Sequence, residues 1–394
     1  MDERLKGLCH VVVGSLLVAA LRVLAPPPSI AQTSFYQPSP ADLRGRPGTL
    51  IRQEPMPTAP PGASAYRVLY RSTGLKGEPI AVSGVVIVPS QPPVSGHRPI
   101  VAWAHPTSGI VPHCAPSLAR NFYRQVQGLQ EMLREGYVVT ATDYPGLGTA
   151  GPHPYLVGAS EGRAVLDSVR AARSLVGADA SQGFAVWGHS QGGQAAFFAA
   201  GLARSYAPEL SLVGVAAAAP ATDLKTLLLD DLNTSGGDNI LAMTLWSWSR
   251  VYKASLSGIV DPSALPLMDD LAGDCLESVI DILPRQRIGE ALMQRFLLVD
   301  DVTERQPWRR LLAENDVPAL PRGMPVFLSQ GTADTTVRAD VTLAYMGRLC
   351  ASRNPVRMLL LSDVGHAFVV RDSASAAVEW IASRFAGQPP PSDC

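Results

Sequence analysis

The stretch Phe184-Ala185-Val186-Trp187-Gly188-His189-Ser190-Gln191-Gly192, followed by an alanine-rich segment, constrains this chain more than any other. The apolar run into Gly188 reads as a buried strand and the segment from Gln191 onward as a helix. Glycines two residues either side of Ser190 let strand and helix approach closely enough for a sharp turn that presents a serine as a nucleophile. The helix N-terminus also puts partial positive charge where an oxyanion would form. A second match, Gly158-Ala159-Ser160-Glu161-Gly162, follows the loop "GPHPYLV" with no buried strand leading in. Ser160 therefore reads as a helix N-cap.

Around this turn, strand-like and helical runs alternate. "YRVLYRS", "IAVSGVVIVP", "PIVAWAH" and "YVVTATD" read as strands, with a helix near Leu118 to Arg134 between the last two. A helix from about Glu161 to Leu175 precedes the serine turn, and "LVGVAAAAPA" follows it as a further strand. Alternation resumes with "MPVFLSQ", a helix near Val337 to Leu349, "VRMLLL" and a last helix from about Ala374 to Phe385. This rhythm predicts an α/β fold, a mostly parallel sheet flanked by helices. Between Thr222 and Asp316 no strand is convincing, and Leu241, Leu245, Trp248 and Tyr252 form one helical stripe. The expected organisation is a core of residues 66–221 and 317–394, interrupted by a helical cap at 222–316. Residues 32–65, rich in proline, read as an arm on the surface.

Residues 1–31 carry Arg4 and Lys6, the apolar run "VVVGSLLVAALRVLA" and small residues up to Ala31. They read as an export signal cleaved near Ala31, with an N-terminal membrane anchor as the alternative. Removal takes Cys9 and leaves Cys114, Cys275, Cys350 and Cys394. An even count in an exported chain suggests disulfides, and free buried thiols are the alternative. Four cysteines allow three pairings, and spacing chooses none. The 33 basic and 34 acidic residues give a net charge of −1 without long runs of either sign, which argues against nucleic acid as a partner.

A nucleophilic serine on such a turn takes its partners in the order serine, acid, histidine. Six of the seven histidines precede Ser190, leaving His366 in "LSDVGHAF", expected in a loop after "VRMLLL". Asp334, in the glycine turn of "PVFLSQGTADTTV", is the preferred acid; Asp363, three residues before His366, is the rival. The oxyanion donors expected are the backbone of Gln191 and, from the loop after "PIVAWAH", Thr107, because Pro106 has no N–H. The bland reading of "HPTSG" is a simple turn. No zinc spacing, H-E-x-x-H or phosphate-binding loop is present, so no metal or cofactor is called for.

"FYQPSP…PGTLIRQEP", "AWAHPTSGIVPHCAPSL", "GYVVTATDYPGLGTAGPHPYLVG", "VWGHSQGGQAA" and "APATDL" together resemble the secretory lipase family of α/β-hydrolases. The resemblance implies an α/β-hydrolase fold with a helical cap, and Ser190, Asp334 and His366 as its triad. It also implies disulfides Cys114–Cys275 and Cys350–Cys394. Relatives often carry glycine where this chain has Pro106. The expectation is a secreted serine carboxylester hydrolase, a lipase for apolar esters or lipids with transient contact to a lipid interface. Trp246, Trp248 and Tyr252 would form an acyl-binding wall, or simply the core of the cap. A small-ester esterase or peptidase on the same fold is the alternative, followed by a non-catalytic binding module.

Overall fold

The computed structural model of the chain describes residues 34–93, 96–230 and 232–394. The export-signal reading of residues 1–31 therefore lies outside the described residues. Among the described residues nine strands form one sheet, and eleven α-helices pack around it. In chain order the first half comprises β1 (Leu50–Pro55), β2 (Ala63–Thr73), β3 (Pro79–Pro89), β4 (Arg98–Ala104), α1 (Phe122–Gln125), α2 (Leu129–Arg134), β5 (Val138–Thr142), α3 (Gly158–Ser174), β6 (Ala180–His189) and α4 (Gln191–Tyr206). The second half comprises β7 (Ser211–Ala218), α5 (Leu224–Asp230), α6 (Ser235–Val251), α7 (Leu265–Gly273), α8 (Ile282–Gln294), α9 (Trp308–Asn315), β8 (Val326–Gly331), α10 (Ala339–Ala351), β9 (Val356–Leu361) and α11 (His366–Phe385).

The sheet order is β1-β2-β3-β5-β4-β6-β7-β8-β9. β1, β2, β3 and β5 pair antiparallel in succession, and every pairing from β5 through β4 to β9 is parallel. The buried strands alternate strictly. Val85, Ile87, Val101 and Trp103 join one core with α1, α2, α11 and the cap, while Val86, Val88, Ala102 and Ala104 join the other with α3, α4 and α10. After β4 the chain turns to β5 on one side, then returns to β6 on the other. Loops leaving β4 and β6 therefore diverge over the strand C-termini, opening a crevice at the switch point.

Several expected elements differ. The segment expected as a surface arm does more than lie on the surface: it supplies edge strand β1 and buries Phe35 and Tyr36 under the Arg67 guanidinium. Arg52 fastens it through the carbonyls of Phe35 and Gln37 and the carboxylate of Asp42. The helix expected over Leu118–Arg134 is broken, since Gly128 at φ 78° starts a new helix, α2. The last helix begins at His366, eight residues before the expected start. α3 begins at Gly158, which places Ser160 inside the first turn rather than at the N-cap. Other side chains serve that terminus: Asn315 accepts from the Gly158 N–H at 3.1 Å, and Glu161, within α3, accepts from the Leu156 N–H at 3.0 Å. A hydroxyl cap is thereby redundant.

Helices α5 to α9 form the insertion between β7 and β8. Trp248 stacks on Trp308 and donates to the Tyr155 carbonyl at 2.8 Å, and Ser247 donates to the His153 carbonyl at 2.6 Å. These aromatics are cap core. Trp246 faces Asp269 and Arg250 on the outside, so the three do not form an acyl-binding wall. Cys114 is bonded to Cys275 and Cys350 to Cys394. The first bond spans 161 residues of chain and the second 44. In the chain-entropy account they stabilise by roughly 5 and roughly 4 kcal/mol. Thermal melts should therefore show both Cys275→Ser and Cys394→Ser below the parent, with Cys275→Ser also losing turnover because it frees cap from core. Equal melting of parent and variants would show that the bridges carry no stability.

Candidate active site

Ser190 sits between β6 and α4 at φ 56° and ψ −118°, a strained conformation for a non-glycine residue. Close packing holds it there. A Cβ on Gly192 would fall 1.9 Å from the Ala104 carbonyl oxygen, and one on Gly188 would fall 2.2 Å from that of Gly192. Only glycine permits these approaches, so β4, β6 and α4 together fix the turn.

His366 opens α11 just beyond β9 and reaches this serine. Its Nε2 lies 2.9 Å from Ser190 Oγ, and its Nδ1 lies 2.8 Å from Asp334 Oδ2. Asp334 lies in the turn after β8. Its Oδ1 accepts from the N–H groups of Thr336 and Val337 at 2.9 and 2.8 Å, and Gln330 Nε2 donates to Oδ2 at 3.2 Å. The rival Asp363 occupies an exposed turn at φ 58° and does not reach the ring. Buried His189 lies beside His366 with ring centroids 4.8 Å apart, and its Nε2–H donates to the His366 carbonyl at 3.1 Å. Desolvation, aided by the neighbouring imidazole, keeps His189 well below the ordinary histidine range, so it stays neutral.

Gln191 is the first residue of α4, where a backbone N–H has no intrahelical partner. Thr107 follows β4, and its hydroxyl lies 3.0 Å from the Tyr155 hydroxyl. Both residues line the same cavity as Ser190 and His366. Its volume is about 480 Å3, and its walls include Leu224, Leu227, Leu228, Ile240 and Met243. Ser160 does not line it. His113, Cys114 and Cys275 come within 4.8 Å of one another, but the two sulfurs are bonded together and His113 Nε2 lies 2.8 Å from the Gly273 carbonyl. That grouping offers no open ligand set.

Sequence reasoning missed the polar layer beneath the site. Asp143 of the "DYPGLG" stretch accepts from Ser83 Oγ at 2.6 Å and from the N–H and Oγ of Ser117, in "CAPS", at 2.8 and 2.5 Å. Tyr144 donates to the His105 carbonyl at 3.2 Å and stacks on His153. Burial lowers His105 to about 4 and His153 to about 3, so both are neutral. His153 Nδ1–H donates to the Pro145 carbonyl at 2.9 Å, leaving Nε2 to accept from the Gln191 side-chain amide at 2.8 Å. The same amide donates to Glu161 Oε1 at 2.7 Å. Burial pushes the Glu161 carboxyl up to about 8, so it is mostly uncharged at neutral pH. One available signal was Glu161 itself, a carboxylate between glycines that implies a tight, buried helix contact.

Residues 123–393 match the profile of the secretory lipase family, more than half of the chain. The chain belongs to the secretory lipase family. It is similar to Lipase 10 of Candida albicans, at 26% identity over 96% of this chain and 86% of that protein. It is also similar to Lipase A of Arthroderma benhamiae, at 28% identity over 92% and 80%. Among solved structures, Candida antarctica lipase A shares the fold with a TM-score of 0.77 and 20% identity, covering 91% of this chain and 87% of that one. This secretory lipase is therefore a lipase-type serine hydrolase acting on ester or lipid substrates. A secretory family agrees with the export reading, and two disulfides suit an oxidising compartment. Among the described residues no helix is long and apolar enough to cross a membrane.

Two outcomes test the site of this secretory lipase. Ser190→Ala should lower ester hydrolysis by several orders of magnitude with an unchanged melting temperature, while Ser160→Ala keeps most activity. The reverse pattern would move the nucleophile to Ser160. Glu161 bears on pH. Its folded value of about 8 lies above the ordinary 4.5, so the folded state holds the proton more tightly between those values. The penalty for Glu161 is absent below the ordinary value, grows as pH rises, and is complete above about 8. Glu161→Gln should flatten the fall in melting temperature across that window. A parallel curve would show that Glu161 does not carry the dependence.

Proposed function

We propose that this chain hydrolyses carboxylic esters with an apolar acyl or alcohol part through a covalent acyl-enzyme, in the manner of a triacylglycerol lipase. One observation carries the reading: Asp334, His366 and Ser190 form a continuous relay, with contacts of 2.8 and 2.9 Å, and Ser190 and His366 line a largely apolar cavity. His366 Nε2 takes the hydroxyl proton as Ser190 Oγ attacks the ester carbonyl. Asp334 accepts from Nδ1–H, keeping Nε2 toward the serine and stabilising the imidazolium that forms. The tetrahedral oxygen sits within reach of the Gln191 and Thr107 N–H groups, where fixed donors stabilise developing charge without reorganisation. As the C–O bond breaks, His366 returns its proton to the leaving alcohol. Water then repeats the cycle on the acyl-serine, releasing the acid. Every step uses this chain's own groups, without a cofactor.

Leu224, Leu227, Leu228, Ile240 and Met243 supply the apolar contacts for the chain of the ester. Ile280 and Leu283 are 73% and 64% exposed, close in sequence to cavity-lining Ile282. An apolar lip of this kind suits transient contact with a lipid surface.

The test pairs two substrates. A fluorophosphonate probe should label the protein at Ser190, and the protein should cleave both soluble p-nitrophenyl butyrate and emulsified triacylglycerol. Ile280→Asp with Leu283→Asp should cut the emulsion rate by roughly tenfold more than the soluble rate, because charge at the lip opposes insertion. Equal effects on both would remove the interface role, and absence of labelling and of hydrolysis would remove the hydrolase reading.

A further inference from the structure

The cavity that holds Ser190 is not apolar throughout. Arg285, on α8, lines it and is only 5% exposed. Its Nη1 donates to the Asp274 carbonyl at 2.7 Å and its Nη2 approaches Met243 Sδ at 2.8 Å. Among the described residues no carboxylate forms an ion pair with it; Asp274, Asp281 and the Tyr155 hydroxyl act on it from farther away. The one acidic residue among those lining the cavity, Glu277, is exposed. Arginine stays charged at any working pH, so this is a buried cation without a counter-charge. Beside it, Asn239 is 93% buried and also lines the cavity. Its Nδ2 donates to the Arg285 carbonyl at 2.8 Å, which leaves Oδ1 as a buried acceptor with no donor.

Burying a cation costs several kcal/mol unless something compensates it. Arg98 and Arg384 are equally buried and rest on carbonyls too, but neither lines the cavity. What separates Arg285 is that it lines the space a substrate would fill. The position is also built rigidly, since a Cβ on Gly289, one turn along α8, would lie 2.2 Å from the Ser235 carbonyl oxygen of α6. This is the close contact that fixes the two cap helices carrying Arg285 and Asn239.

We propose that the preferred substrate of this lipase is an amphiphilic ester bearing an anionic group, a carboxylate or phosphate, that pairs with Arg285 while its hydrocarbon segment lies along Leu224, Leu227 and Met243. A hydroxyl or water next to that group supplies the donor that Asn239 Oδ1 lacks. The proposal rests on the hydrolase reading of Ser190 given above. It adds an orienting charge at the cap end of the cavity, where a charge-assisted hydrogen bond is stronger than in water.

The experiment compares matched pairs of esters at low ionic strength. In the acyl arm, mono-p-nitrophenyl esters of C6 to C10 dicarboxylic acids are set against the same compounds with the free acid methylated. In the alcohol arm, butyrates of ω-hydroxy acids are set against their methyl esters. The parent should favour the charged member of at least one pair by roughly tenfold in kcat/KM, the size expected for one charge-assisted contact. Arg285→Met should reduce that ratio by a similar factor, with most of the change in KM, and Arg285→Lys should restore part of it. A parent that favours the neutral member of every pair overturns the proposal. So does an Arg285→Met variant in which both members fall together, which would make Arg285 a clasp of the cap. Failure to cleave any member would instead strike the hydrolase reading.

Discussion

The strained turn at Ser190 is the constraint on which the rest of the structure depends. A serine held at positive φ costs on the order of 1–3 kcal/mol, and the surroundings must over-determine it. Here the force comes from three elements meeting with no room for a methyl group: β4 through the Ala104 carbonyl, β6 through Gly188, and α4 through Gly192. The contact does more than hold the serine. It ties the end of β4, and with it the loop bearing Thr107, to the first turn of α4, which bears Gln191. The nucleophile and both proposed oxyanion donors are thus placed by one packing event rather than by three independent loops.

A second tier of polar contacts keeps that loop from relaxing. Two of the stretches that carry the family resemblance meet in space, with Ser117 of "CAPS" bonded to Asp143 of "DYPGLG". Tyr144 next to it holds the His105 carbonyl, and His153 and Glu161 grip the Gln191 side chain. At neutral pH the two imidazoles buried here are uncharged and the Glu161 carboxyl is mostly so, because desolvation moves each toward its neutral form. Neutrality matters beside a reaction that develops negative charge. A full negative charge at Glu161, packed behind the oxyanion donor, would oppose the oxyanion that Gln191 is proposed to stabilise.

Local signals made much of this legible. The strand periodicity, the glycines around Ser190 and the chain order of serine, acid and histidine all act within short windows, and the sheet and the meeting of Ser190, Asp334 and His366 followed from them. What stayed hidden depends on distant partners. Ser160 looked like a cap because Asn315, which accepts from the Gly158 N–H at the α3 terminus, lies 157 positions away in sequence. The start of α11 was missed because "HAFVVRDS" lacks a capping residue, and Gly365 before it has no side chain to bond. β1 was read as part of an arm because the prolines around it hide a pairing that one edge of β2 completes. The aromatic residues of the cap could be weighed either way, since helical spacing shows a buried face without showing what covers it.

The cap is therefore best understood through where it is fastened. Cys275 is bonded to Cys114, the Leu276 N–H donates to the Ser108 carbonyl at 2.8 Å, and His113 reaches the Gly273 carbonyl. All three attachments fall on the stretch that runs from Thr107 to Cys114, the loop leaving β4. On its other side the cap holds the 153–155 segment through Ser247 and Trp248, and Tyr155 in turn touches Thr107. The helices that shape the cavity and the loop that would hold the oxyanion are consequently one mechanical piece. A change in the cap helices that shifted Arg285 or Met243 would be felt at Thr107 through these bonds. The cavity end and the oxyanion loop therefore share one scaffold: displacing a cap helix reaches both, whereas replacing one side chain on a helix left in place reaches only the contact that side chain makes.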